Sequence, residues 1–420
     1  MRNLTSPEGG TPAVIETAEA LSSAISQLAS GTGPIAIDAE RASGYRYSSR
    51  AYLIQLFRRG GGLHLIDPIP LAGSTLISEL NELISREESV IHASSQDLEC
   101  LREFGINPKA LFDTELGARI AGCERVGLGP LCENLLEISL AKEHSAVDWS
   151  HRPLKSEWLD YAALDVAILL DVRDKVEELL IASGKLEWAK EEFANSLKQT
   201  YIKVKKDPWR RTSGMHQIKS RFELAIIREL WLARDLVAQE IDLAPGRLLS
   251  DAVLIEVARQ KPDSFENFVA LPIIKEKIRN DIQRSYLEKW WKVIHGSYSL
   301  AEPHWPEMRA RGEALPPPRA WREKFPIAFM HLQHARLFLG EISQQLNIPV
   351  ENLIQPDLVR KILFDDGRER IWELSDANQS KIRATLLEAG ARNWQVKVAV
   401  EPIARSLTMS KPPEIPPSTE

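Results

Sequence analysis

The sequence predicts an α/β domain with a mixed sheet, followed by all-helical blocks. Three observations carry that expectation. Strand patterns crowd between residues 34 and 67, as "PIAIDAE", "AYLIQLFRR" and "GLHLIDP", with "RRGGG" as a turn between the second and third. Closely spaced strands joined by turns read as an antiparallel meander. Strand and helix patterns then alternate towards residue 200, the mark of an α/β domain. After a basic stretch the pattern turns helical throughout, in "RFELAIIRELWLARDLVAQEI", "SDAVLIEVARQ" and "LEKWWKVIHG".

Taken in order, residues 1–12 read as a loose tail and 13–200 as the α/β domain. Past the meander, an apolar-periodic helix is expected over 73–86. "SVIHAS" follows as a short strand, and "SQDLECLREFG" as a helix stopped by Gly105. Residues 201–213 form a basic linker and 214–296 a first helical domain. A Pro-rich linker over 297–321 contains "GEALPPPRAW". A second helical domain spans 322–405, and the tail 406–420 is expected to be disordered from its composition, "KPPEIPPSTE". The two helical blocks are faintly alike. "LARDLVAQEIDLAPGRLLSDAVL" and "LFLGEISQQLNIPVENLIQPDLV" share a helix, a Pro-containing turn and a second helix starting near an Asp, with one residue of gap.

Composition narrows the class. A chain of 420 residues accommodates about three domains at roughly 150 residues each. Hydrophobic residues at 44% and charged residues at 27% are ordinary for a soluble protein. No apolar run reaches the length of about 20 that spans a bilayer, and "MRNLTSPEGG" lacks the apolar centre of a secretory leader. A cytoplasmic protein with no membrane partner is the expectation. Cys100, Cys123 and Cys132 have no CxxC spacing, so they read as reduced thiols. A net charge of −6 gives no sign of a polyanion partner, but the distribution does. Between Lys203 and Arg221 lie seven Lys/Arg, one Asp and Trp209. Such a stretch can grip phosphates and stack a base, or serve as a solvated linker.

Three carboxylate groups raise a question of chemistry. In "GPIAIDAERASGY" a strand ends in Asp38 and Glu40. Residues two apart share a face of a strand, so these acids stand side by side. Like charges that close repel, and burial disfavours their ionised forms. A divalent cation would compensate; a solvated strand end would also explain them. In "HASSQDLECL", Asp97 lies just inside a helix, five residues after His92. Ser94 and Asp97 also fit a capping box, in which the carboxylate serves a backbone N–H. In "WLDYAALDVAILL", Tyr161 and Asp165 are four apart and stack on one helix face. Asp160 points about 100° per residue away from that face, and a surface Asp is the plain alternative for Asp165.

In chain order these are D-x-E on a strand, H-x4-D at a strand-to-helix junction and Y-x3-D on a later helix. The series resembles the DEDDy branch of 3′→5′ exonucleases, and specifically the ribonuclease D family. "LFDTELGARI" at 111–120 and "DWSHRPLKSEWLDYAALDV" at 148–166 are similar to further family elements. The block at 214–296 resembles an HRDC domain through "LARDLVAQEIDLAPGRLLSDAVLIEVA", and the last block looks like a second, more diverged copy. Ala39 stands where many relatives have Thr, Ala244 where a Pro-Pro pair is usual, and the last block lacks the Arg-Asp.

The resemblance implies a ribonuclease H-like α/β exonuclease domain followed by all-α HRDC-like domains. It implies a site for two divalent ions, Mg²⁺ or Mn²⁺. Four carboxylates offer only oxygen ligands, which suit those hard ions. Two-metal sites hold their ions about 3.5–4 Å apart. Carried over, Asp38 would bridge both ions, and Glu40 and Asp165 would hold the one that carries the attacking water. Asp97 would bind the second, and Tyr161 would orient the water. Trp149 and Arg152 become candidates for contacts to the 3′ nucleotide and its phosphate. His92 and Gln96 would line the pocket, and Lys203, Arg210 and Arg211 would meet the nucleic acid at the junction. The implied reaction is hydrolysis of the 3′-terminal phosphodiester of RNA with a 3′-OH end, releasing nucleoside 5′-monophosphates. Precursors of tRNA and other structured RNA with 3′ tails are the expected partners, and a monomer the expected state. The competing readings are a DNA 3′→5′ exonuclease acting on single strands and a non-catalytic nucleic-acid scaffold. A carboxylate-pair glycosidase leaves the Tyr161–Asp165 helix and the basic helical domains unexplained.

Overall fold

The computed structural model describes residues 1–140, 147–199, 206–308, 315–367 and 369–413. Its centre is a mixed six-stranded sheet. In spatial order the strands are Val14–Ile15, Gly62–Ile66, Ala51–Arg59, Thr32–Arg41, Glu88–Ile91 and Ala110–Asp113. The three strands of the expected meander pair antiparallel, and the remaining pairings are parallel. Parallel pairs need crossover helices. Leu76–Arg86 supplies one of these, and Leu98–Phe104 another. Gly105 ends the latter in the left-handed conformation at φ 106°, as its sequence position predicts.

Register places the acids. Asp38 stands opposite Gln55, and Glu40 opposite Leu53, on the Ala51–Arg59 strand. On the other edge the parallel pairing is short, with Ile35 facing Ser89 and Ala36 facing Val90. The Glu88–Ile91 strand ends there, and Ala93 turns the chain away at φ 55°. From Asp38 onward the strand has no ladder partner on that side among the described residues, which opens a notch at the end of the sheet.

The amino-terminal segment departs from the expectation of a loose tail. Arg2–Leu4 pairs in parallel with Ile138–Leu140, and the Thr11 hydroxyl donates to the Asp160 carboxylate. A three-residue strand whose partner lies far along the chain leaves no local periodicity to read. That hydrogen bond also ties Asp160 to the amino-terminal segment.

Two further cores follow. The first helical domain packs Trp209, Leu224, Ile227, Leu230, Leu254 and Trp290 around the 20-residue helix Arg221–Glu240. A capping box between Ser220 and Glu223 starts that helix. Arg234 crosses to the next helix, donating to the Leu249 carbonyl at 2.8 Å and the Asp251 carboxylate at 2.7 Å. The last domain repeats the order of elements. Pro326–Leu346 is followed by the short Val350–Leu353 and then Pro356–Gly367, as Arg221–Glu240 is by Pro245–Leu248 and Asp251–Gln260. Its final helix runs to the buried Leu407, two residues into the stretch expected to be disordered. Residues 414–420 lie outside the described residues. No helix among the described residues is long and apolar enough to cross a membrane.

Candidate active site

The notch opens into a cleft of about 840 Å³. Three separate elements bring the predicted residues to its wall. The strand Thr32–Arg41 contributes Asp38 and Glu40, and the turn after Ile91 contributes His92, Gln96 and Asp97. The helix Ser156–Ala167, laid across the meander strands, contributes Tyr161 and Asp165. Gly127–Pro130, Glu133 and Leu140 close the far side.

The acids are largely removed from water. Glu40 is 8% exposed and Asp97 4%. Burial pushes the Glu40 carboxyl well above its ordinary range, and Asp38, Asp165 and Asp97 push it further. Burial likewise raises Asp97 well up, helped by Asp38 and opposed by Arg41. Asp38 is raised for the same first reason, while the Ala39 amide, donating at 2.9 Å, and Arg41 pull it down. Burial and the neighbouring Asp165 and Glu40 carboxylates push the Tyr161 phenol far up, so it keeps its proton.

Asp97 does not cap its helix. No capping hydrogen bond reaches its side chain. Asp113 does that work instead. Its carboxylate accepts from the Ala93, Ser94 and Leu116 amides at 3.2, 2.8 and 3.0 Å. One buried acid thus secures the turn after Ile91 and starts the helix Thr114–Ala121, leaving Asp97 to face the cleft. Sequence reasoning missed Asp113, although its place directly before Thr-Glu at a strand end is an N-cap pattern. It also missed Arg41, whose Nε lies 3.7 Å from Asp97 and whose Nη2 donates to Gln96 at 3.4 Å. Arg41 directly follows the D-x-E motif, so it was legible as a cation beside the acids. Glu133, a fifth carboxylate in the wall, carried no motif.

Other expected contacts are corrected. Trp149 is fully buried among Tyr52, Leu53, Leu65 and Ala162, with Trp158 5.7 Å away, so it offers no ring to a base. Arg152 donates to Asp67 at 2.7 Å and to the Tyr52 and Trp149 carbonyls at 2.8 Å each. Its guanidinium is engaged by the protein, bracing the approach to the Tyr161 helix rather than meeting a phosphate. Trp209 is 4% exposed in the first helical core. Arg210 lies over its ring at 4.3 Å and donates to the Glu307 carbonyl, which takes it out of the expected basic surface. Arg211 is exposed. Lys203 lies outside the described residues. His92 remains at the cleft, with Nδ1 2.9 Å from the Thr114 hydroxyl, and burial lowers its pKa.

The donor set fits hard divalent cations. It offers only carboxylate oxygens, buried and mutually repelling, with Arg41 as the cation that offsets Asp38, Glu40 and Asp97. Among the described residues, no three His, Cys, Asp or Glu groups are gathered closely enough to ligate one ion as they stand.

Comparison with known proteins agrees with this geometry. A family model described as a 3′-5′ exonuclease matches residues 12–181, and one described as an HRDC domain matches 223–294. Residues 314–407 match a model described as a 3′ to 5′ exonuclease C-terminal domain. Ribonuclease D of Acidiphilium cryptum is 29% identical over 320 residues, 74% of this chain and 79% of that protein. Ribonuclease D of Escherichia coli is 34% identical over 251 residues, 58% of this chain and just under two thirds, 65%, of that relative's length. A crystal structure of a Bifidobacterium adolescentis protein superposes with a TM-score of 0.87 at 35% identity, covering 97% of this chain and 99% of the other. The chain is a 3′–5′ exonuclease, similar to ribonuclease D, whose exonuclease domain is followed by an HRDC domain and a further helical domain.

Proposed function

We propose that the chain is a 3′–5′ exoribonuclease that hydrolyses the 3′-terminal phosphodiester of RNA and releases nucleoside 5′-monophosphates. One observation supports this most: four acids and one tyrosine, far apart in sequence, face a single cleft at the end of the sheet. Asp38, Glu40, Asp97 and Asp165 would hold two divalent ions, with Mg²⁺ and Mn²⁺ as the candidates. By the family resemblance, Asp38 would serve both ions, Glu40 and Asp165 the one nearer the attacking water, and Asp97 the other. When bound, such ions supply Lewis acidity towards the attacking water and the scissile phosphodiester.

The chain's own groups do the positioning. Burial and the Asp165 and Glu40 carboxylates favour the protonated Tyr161 phenol, so its hydroxyl can hold and aim a water. Asp165, one turn further along the same helix face, fixes that hydroxyl. Water attacks phosphorus, the bond to the 3′ oxygen of the preceding nucleotide breaks, and that oxygen takes a proton. Arg41 stands where it can offset charge on the phosphate. The substrates proposed are RNAs with single-stranded 3′ ends, tRNA precursors and other structured RNAs among them.

The test is degradation of 5′-labelled single-stranded RNA and matching DNA by the purified protein with Mg²⁺ or Mn²⁺. EDTA and Asp38→Ala serve as controls. A ladder shortening from the 3′ end of RNA, absent from both controls, is the expected result. Preferential cleavage of DNA would redirect the reading to a DNA exonuclease. No cleavage in any metal would leave a binding scaffold.

A further inference from the structure

The loop over residues 42–50 leaves the strand that carries Asp38 and Glu40 and returns as the strand that holds Gln55 opposite Asp38. Ser43 within it lines the cleft beside Arg41. A register shift falls between Glu40 and Arg41, so the strand is already irregular where the loop begins. The conformation of this segment therefore bears directly on the cleft.

The HRDC domain grips that loop by directed polar contacts. The Ala244 amide donates to the Tyr45 carbonyl at 3.0 Å, and Arg247 Nε donates to the Gly44 carbonyl at 2.6 Å. The Arg247 guanidinium lies over the Tyr45 ring at 3.9 Å. The Tyr47 hydroxyl donates to Asp235 at 3.2 Å. Asp242 accepts from the Ser48 amide at 2.8 Å and from Arg50 and the Tyr52 hydroxyl at 3.4 Å each. Within the exonuclease domain, Arg46 Nε donates to Ser150 at 2.8 Å, which ties the same loop to the approach of the Tyr161 helix. Hydrogen bonds to main-chain groups fix a backbone conformation in a way that buried area alone does not.

We infer that Asp242 and Arg247 of the HRDC domain are positioning residues for the hydrolytic site, holding loop 42–50 and so the placement of Glu40 and Arg41. The inference rests on the proposed function for its catalytic readout. The alternative role for an HRDC domain is to hold the body of the nucleic acid. Asp242 separates the two roles by sign. Removing a carboxylate from a surface that binds a polyanion strengthens binding. Removing a clamp slows the chemical step even on a substrate confined to the cleft, because small misplacements of reacting groups cost rate.

The experiment compares wild type with Asp242→Asn, Arg247→Lys and Glu240→Gln. The last makes the same charge change as Asp242→Asn at an exposed acid two residues earlier, at the end of the helix Arg221–Glu240. The readouts are kcat and KM on a dinucleotide and on a long single-stranded RNA, and amide hydrogen exchange across residues 42–50. The expected result is a fall in kcat on the dinucleotide of the order of tenfold for Asp242→Asn and Arg247→Lys. KM on long RNA should not rise for Asp242→Asn, and exchange should be faster in the loop. Glu240→Gln should match wild type in kcat. Unchanged kcat on the dinucleotide and unchanged exchange in both loop variants would overturn the inference. If Asp242→Asn failed to fold, Arg247→Lys, which keeps its positive charge, would decide alone. If wild type cleaved neither RNA nor DNA, the proposed function would fall by itself. Loop exchange and Mn²⁺ affinity measured by electron paramagnetic resonance would then decide the clamp, and no change in either would overturn it.

Discussion

The exonuclease domain is held on two sides by helical domains, and the two junctions are built from different materials. The HRDC side is polar and directed, with Asp235, Asp242 and Arg247 reaching single atoms of one loop. The carboxy-terminal side is a shared core. Ile348, Leu353 and Trp394 belong to the same buried cluster as the sheet. Trp188 and Trp394 stack at 5.1 Å with a 10° interplanar angle. Glu192, itself buried, accepts from Arg392 at 2.6 Å and from the Trp394 indole at 2.9 Å. Lys185 donates to the Leu346 carbonyl at 2.6 Å. Apolar burial gives strength without direction, while hydrogen bonds give direction with modest net strength. The strong junction therefore lies away from the cleft, and the adjustable one borders it.

The largest expected effect is on the strong side. Trp394→Ala removes a buried aromatic from the shared core and should cost about 3–5 kcal/mol, read as a lower urea midpoint. Hydrolysis of a dinucleotide below the melting temperature should persist. A cost below about 1 kcal/mol would mean that the two cores are not one. Next comes Arg392→Met, which leaves Glu192 buried with the Trp394 indole but without its cation. Breaking such a pair costs about 3–5 kcal/mol. Burial already raises the Glu192 pKa against the pull of Arg392 and Trp394. A raised acid in the folded state favours folding at low pH and loses that contribution as pH rises through its folded value. The penalty in the variant should therefore be greatest at neutral pH and shrink on acidification. A penalty independent of pH would show that Glu192 is not its source.

Gly122→Ala should come third. Gly122 lies at φ 98° against Asn347, whose side chain donates to its carbonyl at 3.0 Å. A side chain there meets both backbone strain and the neighbouring domain, an expected cost of about 1–3 kcal/mol. Proteolysis at the junction would report it, and an unaltered cleavage pattern would count against close packing there.

The smallest effect in stability belongs to the HRDC side and has the opposite pH sign. Burial pushes the Asp242 carboxyl up, but the Ser48 amide and the guanidinia of Arg50 and Arg46 hold it below its usual 3.8. Its contribution is present above that value and lost as pH falls through the folded value. Acid and salt should loosen loop 42–50 while the carboxy-terminal junction stays closed. Hydrogen exchange in the two regions as pH is lowered from 5 to 3 reads this directly. Simultaneous loosening of both would erase the distinction.

Much of this was legible in the sequence. Alternation and turn residues marked the meander, and the resemblance carried by the three motifs implied that Asp38, Glu40, Asp97, Tyr161 and Asp165 share one site, as the cleft shows. Helix and strand periodicity state which residues share a face, and the acids sit on such faces. What failed were inferences from residue type. Trp149 and Arg152 were carried over from the resemblance as nucleic-acid contacts, and Trp209 was read from its basic neighbours as a stacking ring or part of a linker, yet they are buried or engaged with protein. Type does not state which way a side chain points. Asp97 was open to two readings because the competing capping role is filled by Asp113, sixteen residues on, a substitution of one acid for another that only packing reveals.

The short pairing of Arg2–Leu4 with Ile138–Leu140 also bears on how the chain is made. The two partners are separated by 136 residues, so a strand born first waits for one born much later. At about 5–20 residues per second, that interval is roughly 7–27 s of synthesis. Arg2 forms an ion pair with Glu8, a neighbour available as soon as both have emerged. Through that wait the nascent amino terminus has a local charged partner while the strand Gly62–Ile66 becomes available to Val14–Ile15. The amino-terminal ribbon can thus close only once the chain has reached Leu140, and the helix Ser156–Ala167, whose Asp160 takes the Thr11 hydroxyl, docks later still.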